Sequence, residues 1–247
     1  MARAAVLGRL TWLVGTVTAV RDETATAKTI VLDVPGWPGH APGQHVDIRL
    51  TAADGYQAQR SYSLASGADG SHLELTVQRV EDGEVSSYLT DTLAVGYPLE
   101  LRGPIGGWFL WDTADVAPVL LVAGGSGIVP LMAMIRARSQ AGSMAPFRLV
   151  YSVRSPDMVI YAGELAERER AGQLSAGYVY TRTAPPGSAE PPGRITPAAL
   201  ATAGWLRRDT PEVFVCGPTG YVEAAANLLT RAGHDPDRIK TERFGPS

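Results

Sequence analysis

The chain of 247 residues has a single cysteine, Cys216. That scarcity excludes an intramolecular disulfide and any four-cysteine zinc or iron–sulfur site held by one chain. It is compatible with a reducing compartment, and a cytoplasmic location is the expectation. Histidine is also scarce: His40, His45, His72 and His234 lack the short spacings of a metal site, so no metal is expected. An excess of either charge is missing too, with 22 Lys+Arg against 25 Asp+Glu. Without a basic surplus, neither nucleic acid nor an anionic membrane is the expected main partner. No internal repeat is visible. Arg3 and Arg9 precede an apolar stretch, residues 10–20, that superficially resembles a signal peptide. It is too short to cross a bilayer and is broken by Thr11, Thr16 and Thr18. The alternation Trp12, Val14, Thr16, Thr18, Val20 instead predicts a half-buried first strand.

What is present is globular: 45% hydrophobic and 19% charged residues, enough to bury cores in two domains of ordinary size. Up to about Trp111 the pattern is one of short alternating segments. Ile30, Leu32 and Val34 alternate before Pro35-Gly36; Val46, Ile48 and Leu50 follow Pro42-Gly43. Leu73, Leu75 and Val77 follow Asp69-Gly70, and Leu99 and Leu101 follow Gly96. Evenly spaced short strands predict an antiparallel barrel or sandwich, with one helix over residues 85–94.

The period then changes. Residues 116–123 form a nearly continuous apolar run, as in a strand buried on both faces. Helix signals over 129–138, 163–171, 196–203 and 221–231 alternate with strand signals over 147–153, 178–181, 212–216 and 239–244. This β-α alternation predicts a parallel sheet flanked by helices, with its ligand crevice at the carboxyl ends of the strands. The junction is expected in residues 112–118, giving domains 1–113 and 114–247. The Pro/Gly-rich segment 184–193 is expected to be a surface loop.

Four motifs carry chemistry in the first half. Arg60-Ser61-Tyr62-Ser63 offers a guanidinium for phosphate, a ring for stacking and two hydroxyls. Taken alone it reads more readily as a solvated strand edge with a partly buried tyrosine. Pro42-Gly43-Gln44-His45-Val46 lies upstream; Gly83-Glu84-Val85-Ser86-Ser87-Tyr88-Leu89 lies downstream and places amides and hydroxyls at a helix start. Arg102-Gly103-Pro104-Ile105-Gly106 ends the series as a tight turn. In this order the motifs closely resemble the ferredoxin–NADP⁺ reductase superfamily, and the resemblance covers nearly the whole chain. It implies a two-domain β + α/β fold: an N-terminal antiparallel six-stranded Greek-key barrel for flavin, then a parallel-sheet nucleotide-binding domain.

The resemblance also implies roles. Arg60 would hold the flavin pyrophosphate, Tyr62 would stack on the isoalloxazine, and Ser63 would hydrogen-bond near N5, the atom that receives hydride. Ser61 belongs to the same element. Gly83, Val85, Ser86 and Ser87 would cradle phosphate, and Gln78, Arg79 and Val80 would face the ribityl or adenosine part. That phosphate loop favours FAD, with FMN as the alternative. Gly125-Ser126-Gly127-Ile128-Val129-Pro130 falls where the family has its nicotinamide loop, and Cys216-Gly217-Pro218-Thr219 where its cysteine lies beside the nicotinamide. The cysteine would position the ring rather than attack it. Glu242 and Phe244 match the family's acidic and aromatic pair near the flavin, with phenylalanine in place of the more usual tyrosine. Phe244 reads equally as a core residue of a surface strand.

Arg154 and Thr181-Arg182 follow the second and third strands of the second half, where a guanidinium suits a ribose 2′-phosphate. NADPH is therefore the expected donor, with NADH left open by Asp157. The chain is expected to be an FAD-dependent NAD(P)H oxidoreductase. Many family members carry an iron–sulfur domain on the same chain; one cysteine cannot hold such a cluster. Electrons are expected to leave for a separate protein: a ferredoxin, an oxygenase component or a metalloenzyme subunit. The alternatives are a free-flavin or quinone reductase, or a flavin-binding structural or redox-sensing subunit.

Overall fold

The computed structural model describes residues 10–188, 190–203 and 209–245, so that Arg3, Arg9 and the terminal Pro246-Ser247 lie outside the described residues. Six strands build the first half: β1 (Leu13–Thr24), β2 (Ala27–Asp33), β3 (His45–Thr51), β4 (Gln57–Ser63), β5 (His72–Gln78) and β6 (Pro98–Ile105). They pair antiparallel in the order β4-β3-β6-β1-β2-β5. A bridge between Leu64 and Leu75 joins the two edges and closes the sheet on itself. The alternating apolar side chains read from the sequence point inward: Ile30, Leu32, Val46, Ile48, Leu73, Leu75, Leu99 and Leu101 form one buried core.

Five parallel strands build the second half, in the order β11-β10-β7-β8-β9. Along the chain these are β7 (Val119–Gly124), β8 (Phe147–Val153), β9 (Ser175–Tyr180), β10 (Glu212–Pro218) and β11 (Ile239–Phe244). All six residues of β7 are buried, as its unbroken apolar run requires at the centre of a sheet. The connecting helices are α2 (Ile128–Gln140), α3 (Ala162–Arg170), α4 (Pro197–Ala203) and α5 (Thr219–Arg231), after the short α1 (Glu84–Ser87) of the barrel. The chain leaves β7 toward β8 on one side and later returns to β10 on the other. This reversal opens a crevice at the carboxyl ends of β7 and β10.

Three local expectations change. The first strand extends past Val20 to Thr24, because two bulges keep the polar Arg21–Thr24 tail paired with β2. The helix expected over 85–94 is one α-turn followed by a π-turn, Tyr88–Thr92. The apolar run at 116 enters the sheet only at Val119. Asp112 and Asp115 accept bonds from the backbone N–H groups of Ala114 and Ala117, turning the chain there and leaving Val116 exposed. Just before this turn, Phe109 and Trp111 pack edge-to-face on Phe214 and Phe147 and bind the end of the barrel to the second core. No helix among the described residues is long and apolar enough to cross a membrane.

Candidate functional site

Strands β4 and β5 end at the seam between the two sheets, and so do the first turns of the second half. A cleft of about 820 Å³ runs along this seam. The barrel contributes Thr26, Ser61, Tyr62, Ser63, Thr76, Gln78, Arg79 and Val80; the second half contributes Ser126, Val129, Arg154, Met158 and Phe244. A smaller cleft of about 230 Å³ adjoins it, walled by Gly125, Ser126, Arg154, Met158, Thr181, Pro218 and Tyr221. It opens at the carboxyl ends of the parallel strands, at the reversal of strand order. Gln78, Ser126, Arg154 and Met158 line both clefts. Tyr62, Ser63 and Gln78 of the barrel and Ser126, Arg154 and Thr181 of the parallel half thus line two adjoining clefts, whereas Arg60, Cys216, Arg182 and Glu242 line neither.

The walls fit a flavin and a nicotinamide dinucleotide. The Tyr62 ring is half-buried in the cleft wall, and burial pushes its phenol up to about 12, with the nearby Arg60 opposing. Arg60 is exposed, and its guanidinium donates to the neighbouring Gln59 carbonyl. Thr26 Oγ1 is buried in the main cleft wall without a hydrogen-bond partner, which a polar ligand would satisfy. In the smaller cleft, burial pushes the Tyr221 phenol up, with the nearby Ser152 hydroxyl opposing. No hydrogen bond of normal geometry forms between their buried hydroxyls.

Several of the sequence-derived residues serve the frame of the site. Val85 is buried in the barrel core, so its backbone amide is the part available to a ligand. Ser86 Oγ accepts from the Val80 N–H and donates to the Gly83 carbonyl, fastening the loop 80–86 onto itself. Ser87 follows at the end of α1. Gly127 is required by packing: a Cβ there would lie 2.1 Å from the Cys216 carbonyl oxygen, so the start of α2 could not approach β10. Gly125 differs, with φ of +54° and open cleft before it. Arg182 is exposed one residue beyond Thr181, and its backbone N–H donates to the Arg154 carbonyl.

Cys216 and Glu242 lie close together, and His45, a residue without an individual role in the sequence motifs, brings Glu242 to the strand beside Ser63. Ser63 pairs across the ladder with His45 on β3, and Cys216 pairs with Glu242 on β11. His45 Nδ1 lies 3.8 Å from Glu242 Oε1, and Cys216 Sγ lies 4.0 Å from Glu242 Oε2. Burial dominates this cluster. It lowers the His45 pKa against the pull of Asp47, favouring the neutral imidazole. It raises the Glu242 carboxyl to about 7. It also pushes the Cys216 thiol up, aided by the Glu242 charge, so the sulfur remains an uncharged contact. Gly217 and Pro218 continue from Cys216 along the seam, and Pro218 pairs with Phe244.

A carboxyl raised by folding is most compatible with the native state when protonated. Its cost is absent below the unfolded pKa and develops as pH rises from about 4.5 to about 7. Glu242→Gln should therefore gain stability relative to the wild type across that window, reaching at most roughly 3 kcal/mol above it. Urea unfolding of both proteins at pH 5 and pH 8 checks this. A difference between them that stays constant with pH would remove the buried, raised carboxyl.

The comparisons agree with this layout. The family model described as an oxidoreductase FAD-binding domain matches residues 17–110, and the one described as an oxidoreductase NAD-binding domain matches 121–227. The chain is 30% identical to a flavohemoprotein of Rhodopirellula baltica, over 85% of this chain and 54% of that protein. It is 28% identical to the ferredoxin–NAD(P)⁺ reductase component of the naphthalene 1,2-dioxygenase/salicylate 5-hydroxylase systems of a Ralstonia species. That match covers 94% of this chain and 69% of the relative. The chain therefore spans about half the length of the first relative and about two thirds of the second. Among solved structures, the Amycolatopsis cytochrome P450 reductase GcoB is 30% identical with a TM-score of 0.82, covering 96% of this chain and 71% of that one.

Proposed function

Since this chain belongs to the ferredoxin–NADP⁺ reductase superfamily, we propose that it transfers hydride from NADPH to bound FAD and passes the electrons to a separate acceptor protein. The observation that carries this reading is the single cleft in which Tyr62 and Ser63 of the barrel face Ser126 and Arg154 of the parallel domain. We divide the chain at residues 113 and 114.

The bound flavin supplies an acceptor for two electrons that can release them singly. The chain's residues supply position. Arg60, the backbone amides of Val85 and Ser86 and the Ser87 hydroxyl hold the flavin pyrophosphate, while Gly83, whose own N–H donates to the Val80 carbonyl, turns the loop that presents them; Gln78, Arg79 and Val80 lie along the ribityl and adenosine side. Tyr62 packs against one face of the ring system, Phe244 closes the cleft near it, and Ser61 and Ser63 supply hydroxyls. Gly125, Ser126 and Gly127 hold the nicotinamide pyrophosphate against the start of α2. Cys216, Gly217 and Pro218 fix the nicotinamide ring, and Glu242 can carry a proton at its carboxyl near neutral pH. Arg154, Thr181 and Arg182 meet the 2′-phosphate, which favours NADPH over NADH. The net reaction is NADPH plus two oxidised one-electron carriers giving NADP⁺, one proton and two reduced carriers, with bound FAD supplying the conversion from a two-electron donor to one-electron acceptors.

The acceptor is a one-electron carrier such as a ferredoxin, an oxygenase component or a metalloenzyme subunit. The clearest precedents are the Ralstonia reductase component and the Amycolatopsis P450 reductase. We place the reaction in the cytoplasm, where a lone unpaired cysteine is stable. The test is NADPH oxidation by the FAD-loaded protein with a panel of ferredoxins, compared with free FAD and quinones. Faster turnover with a ferredoxin supports the reading. Turnover confined to free flavin or quinone would replace it with the diffusible-acceptor alternative.

A further inference from the structure

Residues 154–161 leave β8 and cross to the barrel before α3 begins. Arg154 and Met158 of this segment line both clefts. At its end stands Tyr161, which is fully buried and has left-handed backbone angles, φ 62° and ψ 28°. A bulky residue in that conformation is strained, so the surrounding contacts must hold it there.

Those contacts come from the barrel and form a closed ring. Thr29 Oγ1 on β2 donates to Glu23 Oε1 at 2.7 Å. With its one proton spent, Thr29 accepts from Thr76 Oγ1 on β5, 2.8 Å away. Thr76 in turn accepts from the Tyr161 hydroxyl. The other Glu23 oxygen accepts from the Tyr161 backbone N–H at 3.1 Å. Every proton in the ring has one use, and the ring begins and ends on Tyr161. Arg136 on α2 reinforces it, its guanidinium 5.0 Å from the Tyr161 ring centre. Arg136 also grips Glu164 of α3 on one side and Glu74 and the Ala65 carbonyl of the barrel on the other.

We propose that Tyr161 is a positioning residue for hydride transfer. Its ring of hydrogen bonds pins the segment carrying Arg154 and Met158 to the barrel strand that carries Thr76 and Gln78 into the cleft. The two halves of the site then keep one separation, and the nicotinamide meets the flavin at a fixed distance. This rests on the reductase reading above and adds the element that sets its geometry.

The test uses the FAD-loaded protein and two variants. Tyr161→Phe removes one hydroxyl, and Thr29→Val breaks the ring at a residue that does not line the cleft. Both should retain flavin. Both should show faster amide exchange in residues 154–161 and in β5, a weaker long-wavelength charge-transfer absorbance on anaerobic mixing with NADPH, and roughly 10-fold slower flavin reduction. Wild-type exchange and reduction in both variants would overturn the proposal while leaving the reductase reading intact. Faster exchange with an unchanged reduction rate would overturn it as well. A wild-type protein that neither NADPH nor NADH reduces would sink both.

Discussion

Arg60→Ala should lose FAD on gel filtration, with the dissociation constant rising roughly 10- to 100-fold, a range that follows from the strength of charge-assisted hydrogen bonds. Arg60 sits on β4 two residues before Tyr62, which lines the main cleft, and its side chain is exposed. Among the described residues, no carboxylate is a hydrogen-bond partner of Arg60; the Gln59 carbonyl takes one donor and leaves the planar fork able to meet a phosphate. Because the side chain packs little, its loss should hardly change the unfolding midpoint. The effect is then on the ligand and not on the fold. Equilibrium dialysis of FAD against the two proteins measures it, and equal affinities would move the pyrophosphate away from Arg60.

Cys216→Ala should keep FAD and slow its reduction by NADPH, by roughly 10- to 100-fold in single turnover. The sulfur is fully buried at the end of β10, opposite Glu242 in the ladder. Burial keeps it a neutral thiol, so its contribution is size, polarizability and contact, all of which alanine removes. The stability cost should be small, about 1 kcal/mol for one buried sulfur. Stopped-flow absorbance separates the two effects: flavin content and spectrum unchanged, reduction slower. An unchanged rate would mean that the nicotinamide ring rests elsewhere.

The barrel and the sheet were legible because each residue period has one physical reading. Ile30, Leu32 and Val34 can bury one face only as a strand, and the unbroken run through Leu120 and Val122 can lie only at a sheet's centre. The start of β7 at Val119 rather than at 116 was not legible, since the two aspartates that divert the chain look like ordinary polar residues. In the candidate site, Arg60 to Ser63 stand out only in the company of the three other motifs of the first half, since alone they read as a strand edge. Tyr161 and His45 do not stand out as individual residues. Each gains its meaning from partners far along the chain: Glu23, 138 residues before Tyr161, and Glu242, on the last strand. Gly127 is similar, for its need to lack a side chain comes from the Cys216 carbonyl and not from a phosphate loop. Pairwise juxtapositions of this kind are set by topology, and a local pattern does not encode them.

The measurement that bears most directly on the central claim is an anaerobic titration of the FAD-loaded protein, first with NADPH and then with NADH, followed by absorbance. A shared cleft for the two cofactors predicts that the flavin bands bleach with one equivalent of nucleotide, faster with NADPH than with NADH. A tightly bound flavin that neither nucleotide can bleach would contradict the account and favour a structural or redox-sensing role.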